Sequence, residues 1–174
     1  MSQPVPPPGN PFADGAAPTP YAPAPAPAPA RDSLGLGLAA GVAATVVGAL
    51  AYGGVMRALA EEDGSYTQIG VLALALGALV GFALGKVGGR NPILPIVGVP
   101  LALLGVFAGQ LFGFALMASW WAGLDGMPIG VTELLTSEFS VLFEGWKAEL
   151  GFMDVLFFAI AGYEGFAITK KVAG

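Results

Sequence analysis

Two polar side chains lie deep inside apolar stretches of this sequence. Glu164 sits in Phe157-Phe158-Ala159-Ile160-Ala161-Gly162-Tyr163-Glu164-Gly165-Phe166, and Gln110 sits in the run from Ile93 to Ala118. A carboxylate in the middle of a membrane helix costs about 2.5–3.5 kcal/mol on insertion scales, so it normally has a partner or a purpose. An amide in a dry interior also needs a partner. Together they have the chemistry of a proton or cation site. A plainer reading stands beside it. Glu164 is six residues from Lys170, roughly 9 Å along a helix, close enough to the water interface to pair with Lys86, Arg90 or Lys170. Gln110 then serves as an interhelical hydrogen bond.

Other chemistries are poorly supplied. There is no histidine and no cysteine, which removes the commonest general base, the commonest zinc ligands, thiol nucleophiles and disulfides. No paired carboxylates on two spans, Ser/His pair or metal cluster marks a hydrolytic centre. The sequence therefore points to no catalytic residue, no cofactor and no metal, and an enzyme is not expected. A net charge of −5 with seven scattered basic residues gives no footprint for nucleic acid, which needs clustered Lys/Arg.

The elements that carry these residues are set by hydropathy. The 174 residues are 55% hydrophobic and 11% charged, with mean hydropathy +0.73, whereas soluble domains carry about 25% charged residues. Four runs are long enough to cross a bilayer, which takes about 20 apolar residues: 34–56, 67–87, 93–118 and 152–169. The fold class expected is an all-α membrane protein of four transmembrane helices. Spans 2 and 3 form a hairpin around Lys86-Val87-Gly88-Gly89-Arg90-Asn91-Pro92. Each carries glycines four apart, Gly77, Gly81 and Gly85 on one and Gly105, Gly109 and Gly113 on the other. Such stripes let helix backbones approach closely in lipid. They predict packing of span 2 on span 3 within the chain, or else an oligomer interface or pore wall. Pro100 should kink span 3.

Between spans 3 and 4, Val131, Leu134, Leu135, Phe139, Leu142, Phe143, Trp146 and Leu150 recur at helical spacing, with Glu133, Glu138, Glu144, Lys147 and Glu149 opposite. This predicts one amphipathic helix over 131–150, packed on the bundle through Phe139, Leu142 and Trp146. Residues 1–31 hold eleven of the fifteen prolines, which predicts a disordered, extended tail; it is either a passive spacer or a docking arm through Pro4-Val5-Pro6-Pro7. Basic residues set orientation. With the N-terminus cytoplasmic, the inside holds Arg31, Lys86, Arg90, Lys170 and Lys171 and the outside only Arg57 and Lys147. Both termini are therefore expected inside, with the amphipathic helix extracytoplasmic.

Three stretches carry a resemblance: Tyr66-Thr67-Gln68-Ile69-Gly70 opening span 2, the basic turn Gly85-Lys86-Val87-Gly88-Gly89-Arg90-Asn91-Pro92, and the Tyr163-Glu164 ending of the last span. They resemble uncharacterised small four-span bacterial integral membrane proteins with a Pro-rich N-terminal tail. In that group the first stretch reads Gly-Tyr-Glu-Ile-Gly; Ser65 and Gln68 depart from it here. The resemblance covers residues 34–171 and implies four helices in a bacterial plasma membrane, with no activity attached. It also draws attention to Glu164. The expected function is a non-enzymatic scaffold or accessory subunit, whose partners are the bilayer, a protein reached through the tail, or a second copy of the chain. The alternative is a small transporter or channel using Glu164 and Gln110.

Overall fold

A computed structural model describes residues 33–67 and 70–173. The Pro-rich tail, Arg31 and the Gln68-Ile69 pair lie outside the described residues. Six helices follow in order: α1 (Leu34–Ala58), α2 (Val71–Gly88), α3 (Ile93–Leu124), α4 (Val131–Leu135), α5 (Phe139–Glu149) and α6 (Phe152–Val172). Four of them, α1, α2, α3 and α6, are long and apolar enough to cross a membrane. The shortest, α2, has 18 residues and rises about 27 Å; the longest, α3, has 32 and rises about 48 Å.

The four long helices alternate in direction. α1 packs on α3 and on α2, and α6 packs on α2 and on α3, while α2 and α3 also meet across the short diagonal. Among the described residues the backbones of α1 and α6 do not approach each other. The ends of the bundle differ in charge. Lys86, Arg90, Lys170 and Lys171 lie at the end where α2 turns into α3, whereas the 59–70 connection, α4, α5 and the start of α6 carry most of the carboxylates to the other. We call these the basic and acidic ends.

The glycine stripes are buried seams within the chain, but their partners differ from the expected match of span 2 with span 3. The α2 stripe faces α6: Gly77 lies on the Ala161 backbone, Gly81 on the carbonyls of Glu164 and Gly165, and Gly85 on the Thr169 carbonyl. The α3 stripe faces mainly α1: Gly109 lies on Tyr52 and Gly113 on Met56, while Gly105 meets Leu76 of α2. Three further contacts are backbone on backbone, one of them Gly53 of α1 against the Gly113 nitrogen of α3. A Cβ on Gly98 of α3 would lie 2.5 Å from the Gly165 carbonyl oxygen, and one on Gly165 would lie 2.5 Å from that of Gly98. At the N-terminal end of α1, Gly37 lies on Gly88. Interleaving explains the swap of partners: a helix meeting two neighbours needs its small residues on the closer approach, and α2 and α3 are only diagonal to each other.

Three boundaries move. α2 begins at Val71 rather than Thr67, because Ala60 and Tyr66 bridge and close the 61–65 turn first; Gly70 then passes directly beneath the Phe157 ring. α3 continues unbroken through Pro100 and past Ala118 to Leu124. The Trp120–Trp121 pair therefore lies inside its last turns, with the Arg57 guanidinium 3.6 Å from the Trp120 ring and Trp121 Nε1 donating to the Glu61 carbonyl at 2.8 Å. The amphipathic segment is two helices rather than one. Thr136 Oγ1 donates to the Thr132 carbonyl at 2.7 Å, and the N–H groups of Thr136 and Glu138 both donate to the Glu133 carbonyl. Such local bonds compete with helix continuation. Leu134 and Leu142 are buried against Leu111 and Ala115 of α3, with Phe143 and Trp146 packed around them. Phe139 stays partly exposed and stacks on Phe143 at 6.0 Å.

Candidate functional site

The polar interior gathers at the acidic end, around the start of α6. Gly151 precedes the helix in extended backbone, and its N–H donates to Asp154 Oδ2 at 2.9 Å. A carboxylate in the first turn of a helix satisfies orphan donors and lies at the positive end of the dipole. That anchoring leaves Oδ1 facing α3, where Gln110 Nε2 donates to it at 3.4 Å. From α5, Trp146 Nε1 donates to Gln110 Oε1 at 2.8 Å. An indole N–H can only donate, so the orientation of the amide is fixed: oxygen towards Trp146, nitrogen towards Asp154. Gln110 is 2% exposed and Asp154 5%.

Two tyrosines close the group. Tyr52 of α1, also buried, lies beside Gln110 and Asp154. Tyr66, from the connection before α2, packs edge-on to Phe114 at 5.6 Å. Its phenol is pushed up to about 12, first by burial and then by the negative charges of Glu149 and Asp154. Tyr66, Gln110, Trp146, Glu149 and Asp154 line a cavity of about 10 Å³, close to the room one water needs. The cluster thus joins α1, α3, α5, α6 and the 59–70 connection. It can seat one water and pin the α4–α5 segment onto the bundle. In the 61–65 turn, Asp63 accepts the Ser65 N–H at 2.9 Å, and that bond holds its carboxyl below the usual range.

Glu164 is elsewhere. It is half-buried on α6, ten residues beyond Asp154 and so about 15 Å along the axis. The geometry therefore does not join it to Gln110. Nor, among the described residues, does it form a salt bridge to Lys86, Arg90 or Lys170. The one salt bridge among the described residues is Lys147–Glu144, exposed, at 2.7 Å. Among the described residues no group of three or more Asp and Glu is placed to hold a metal ion.

Sequence reasoning placed Gln110 in a hydrogen bond between helices, which is where it is, but passed over its partner. Asp154 reads as the polar start of the last span. The available signal was Gly151-x-x-Asp154, a carboxylate three residues past a helix boundary, with an apolar-face indole at Trp146 that needed an acceptor. Comparison with known proteins adds no relative: no family model, no curated protein and no solved structure matches this chain.

Proposed function

We propose that this protein is a non-enzymatic scaffold or accessory subunit in a membrane assembly. In this reading it lies in the plasma membrane of a bacterium, with its basic end and both termini in the cytoplasm and α4–α5 outside. The observation that carries the reading is how the buried polar groups are used. Gln110 spends its amide on Trp146 and Asp154, and Asp154 spends its carboxylate on Gln110 and the α6 N-terminus. Elsewhere α2 and α3 meet their neighbours through glycine on backbone. Interactions of this kind hold helices in one arrangement. The basic residues at one end support the orientation, because Lys and Arg near span ends are retained in the cytoplasm.

The test is a crosslinking pull-down from native membranes, comparing the full chain with one lacking residues 2–30. A defined membrane partner recovered in stoichiometric amount supports the reading. A monomer that recovers no partner overturns it.

A second reading, a small transporter or channel, is favoured by one observation: the cavity of about 10 Å³ beside the buried Asp154 carboxylate. It moves the working carboxylate from Glu164 to Asp154, with Gln110 as its hydrogen-bond partner. Proton flux in liposomes that is lost in Asp154→Asn but kept in Glu164→Gln would establish it. Equal flux from both variants and empty liposomes would remove it.

A further inference from the structure

A groove of about 500 Å³ opens sideways at the basic end, between the first turns of α3 and the last turns of α6. Arg90, Pro92, Pro95, Ile96, Phe166 and Lys170 line it. The two parts of the groove have different chemistry. Pro92 and Pro95 fit the start of α3 because a missing N–H costs little there, and their rings, with Ile96 and Phe166, make an apolar trough. Ile96 is 64% exposed and Phe166 37%, so this trough faces the surroundings of the bundle rather than its core. Arg90, from the α2–α3 turn, and Lys170, from the end of α6, stand at one end of the trough. Lys86 and Lys171 lie at the same end of the bundle. This level is where the apolar segments of α2, α3 and α6 stop, and so where lipid phosphates lie.

We propose that this groove seats one anionic glycerophospholipid, its phosphate between Arg90 and Lys170 and an acyl chain along Pro95, Ile96 and Phe166. Cations beside an apolar trough match a ligand that carries a phosphate and a hydrocarbon chain in one molecule. Basic pockets between membrane helices are suited to anionic headgroups. Arginine adds paired donors in a planar fork that suits phosphate. A zwitterionic headgroup places its own cation among these basic residues and is disfavoured. The inference concerns a lipid at the basic end and stands apart from the scaffold reading.

The test is native mass spectrometry of the full chain in a neutral detergent, with phosphatidylglycerol or phosphatidylcholine of identical chains. One phosphatidylglycerol is retained and phosphatidylcholine is not. Arg90→Gln and Lys170→Gln each weaken retention about fivefold, and the pair on the order of thirtyfold. Ile96→Trp, which fills the trough and leaves both cations, also expels the lipid; a thermal unfolding curve matching the parent confirms that it folds. Lys147→Gln, at the opposite end, changes nothing. Equal retention of the two lipids overturns the proposal, as does phosphatidylglycerol binding that survives both the charge pair and Ile96→Trp. Inorganic phosphate that displaces phosphatidylglycerol at millimolar concentration identifies a site for the free ion and also overturns it.

Discussion

Where α2 turns into α3, the helices meet through backbone atoms; at the opposite end of the bundle one such contact remains, Gly53 against Gly113, and large side chains make the rest of the packing. At the basic end and in the middle of the bundle, Gly37 lies on Gly88, Gly98 on Gly165 and Gly85 on the Thr169 carbonyl. At the acidic end Phe107, Phe143 and Trp146 pack edge-on and stacked, and Gln110 links Trp146 to Asp154. The two solutions respond differently to change. A seam without side chains gains dispersion contacts and has no space to yield. A seam of rings and hydrogen bonds is roomier, but each polar group in it depends on a partner.

The sharpest way to break the comparison is Gly165→Val. Its Cβ would lie 2.5 Å from the Gly98 carbonyl oxygen and 3.0 Å from the Ala102 Cβ, and backbone cannot rotate aside. Overpacking of this kind costs about 3 kcal/mol. Thermal unfolding followed by size-exclusion chromatography should show a larger loss than for Gln110→Leu or Tyr66→Phe. Gly54→Ala on α1 is the control, since nothing lies within 4 Å of its added Cβ; it should stay within about 0.5 kcal/mol of the parent. If both variants unfold alike, the backbone seams are not what holds this region.

Gln110→Leu probes the other end and ranks second. It keeps the volume but leaves the Trp146 N–H and Asp154 Oδ1 without the partners they have at 2.8 and 3.4 Å. The cost is about 2 kcal/mol. The effect should also be local: α4–α5 loosens first, so proteolysis between Thr136 and Glu138 accelerates while the glycine seams hold. A uniform destabilisation with no change at that bend would mean that the cluster supports the whole bundle instead.

The same contrast explains what was legible in the sequence. The four long helices follow from hydropathy alone, because a bilayer demands long apolar runs and little else satisfies that demand. The glycine stripes were visible, and Gly77, Gly81 and Gly85 on α2 are indeed buried against another helix. Their partner was not visible, since a glycine records that something comes close and carries no chemistry to say what. The break at Thr136 was hidden because the hydrophobic period continues through it, while the bonds that end α4 are made by one hydroxyl and two backbone N–H groups on the carbonyls of Thr132 and Glu133. Asp154 was hidden for a related reason. A carboxylate at a helix start is ordinary in water, and only the arrival of Gln110 from 44 residues away makes it a buried one. Glu164 stood out because its neighbours are apolar, a signal of cost rather than of contact.

Tyr66→Phe should give the smallest effect, and it tests whether the acidic end carries charge-dependent stability that the glycine seams lack. The Tyr66 phenol is held at about 12 against an ordinary value of 10.0. The folded protein therefore keeps this proton longer than the unfolded chain does. The contribution is complete below the unfolded value and is lost as pH rises from about 10 to about 12, because the unfolded chain releases the proton first. At neutral pH the substitution should change stability little, as Tyr66 is only partly buried. Between pH 10 and 12 the parent should lose melting temperature faster than Tyr66→Phe, so two curves that run together near neutral pH separate, with the parent falling below. Thermal melts of both proteins across that range provide the measurement. Parallel curves would show that Tyr66 titrates alike folded and unfolded, and that burial beside Glu149 and Asp154 does not hold its proton.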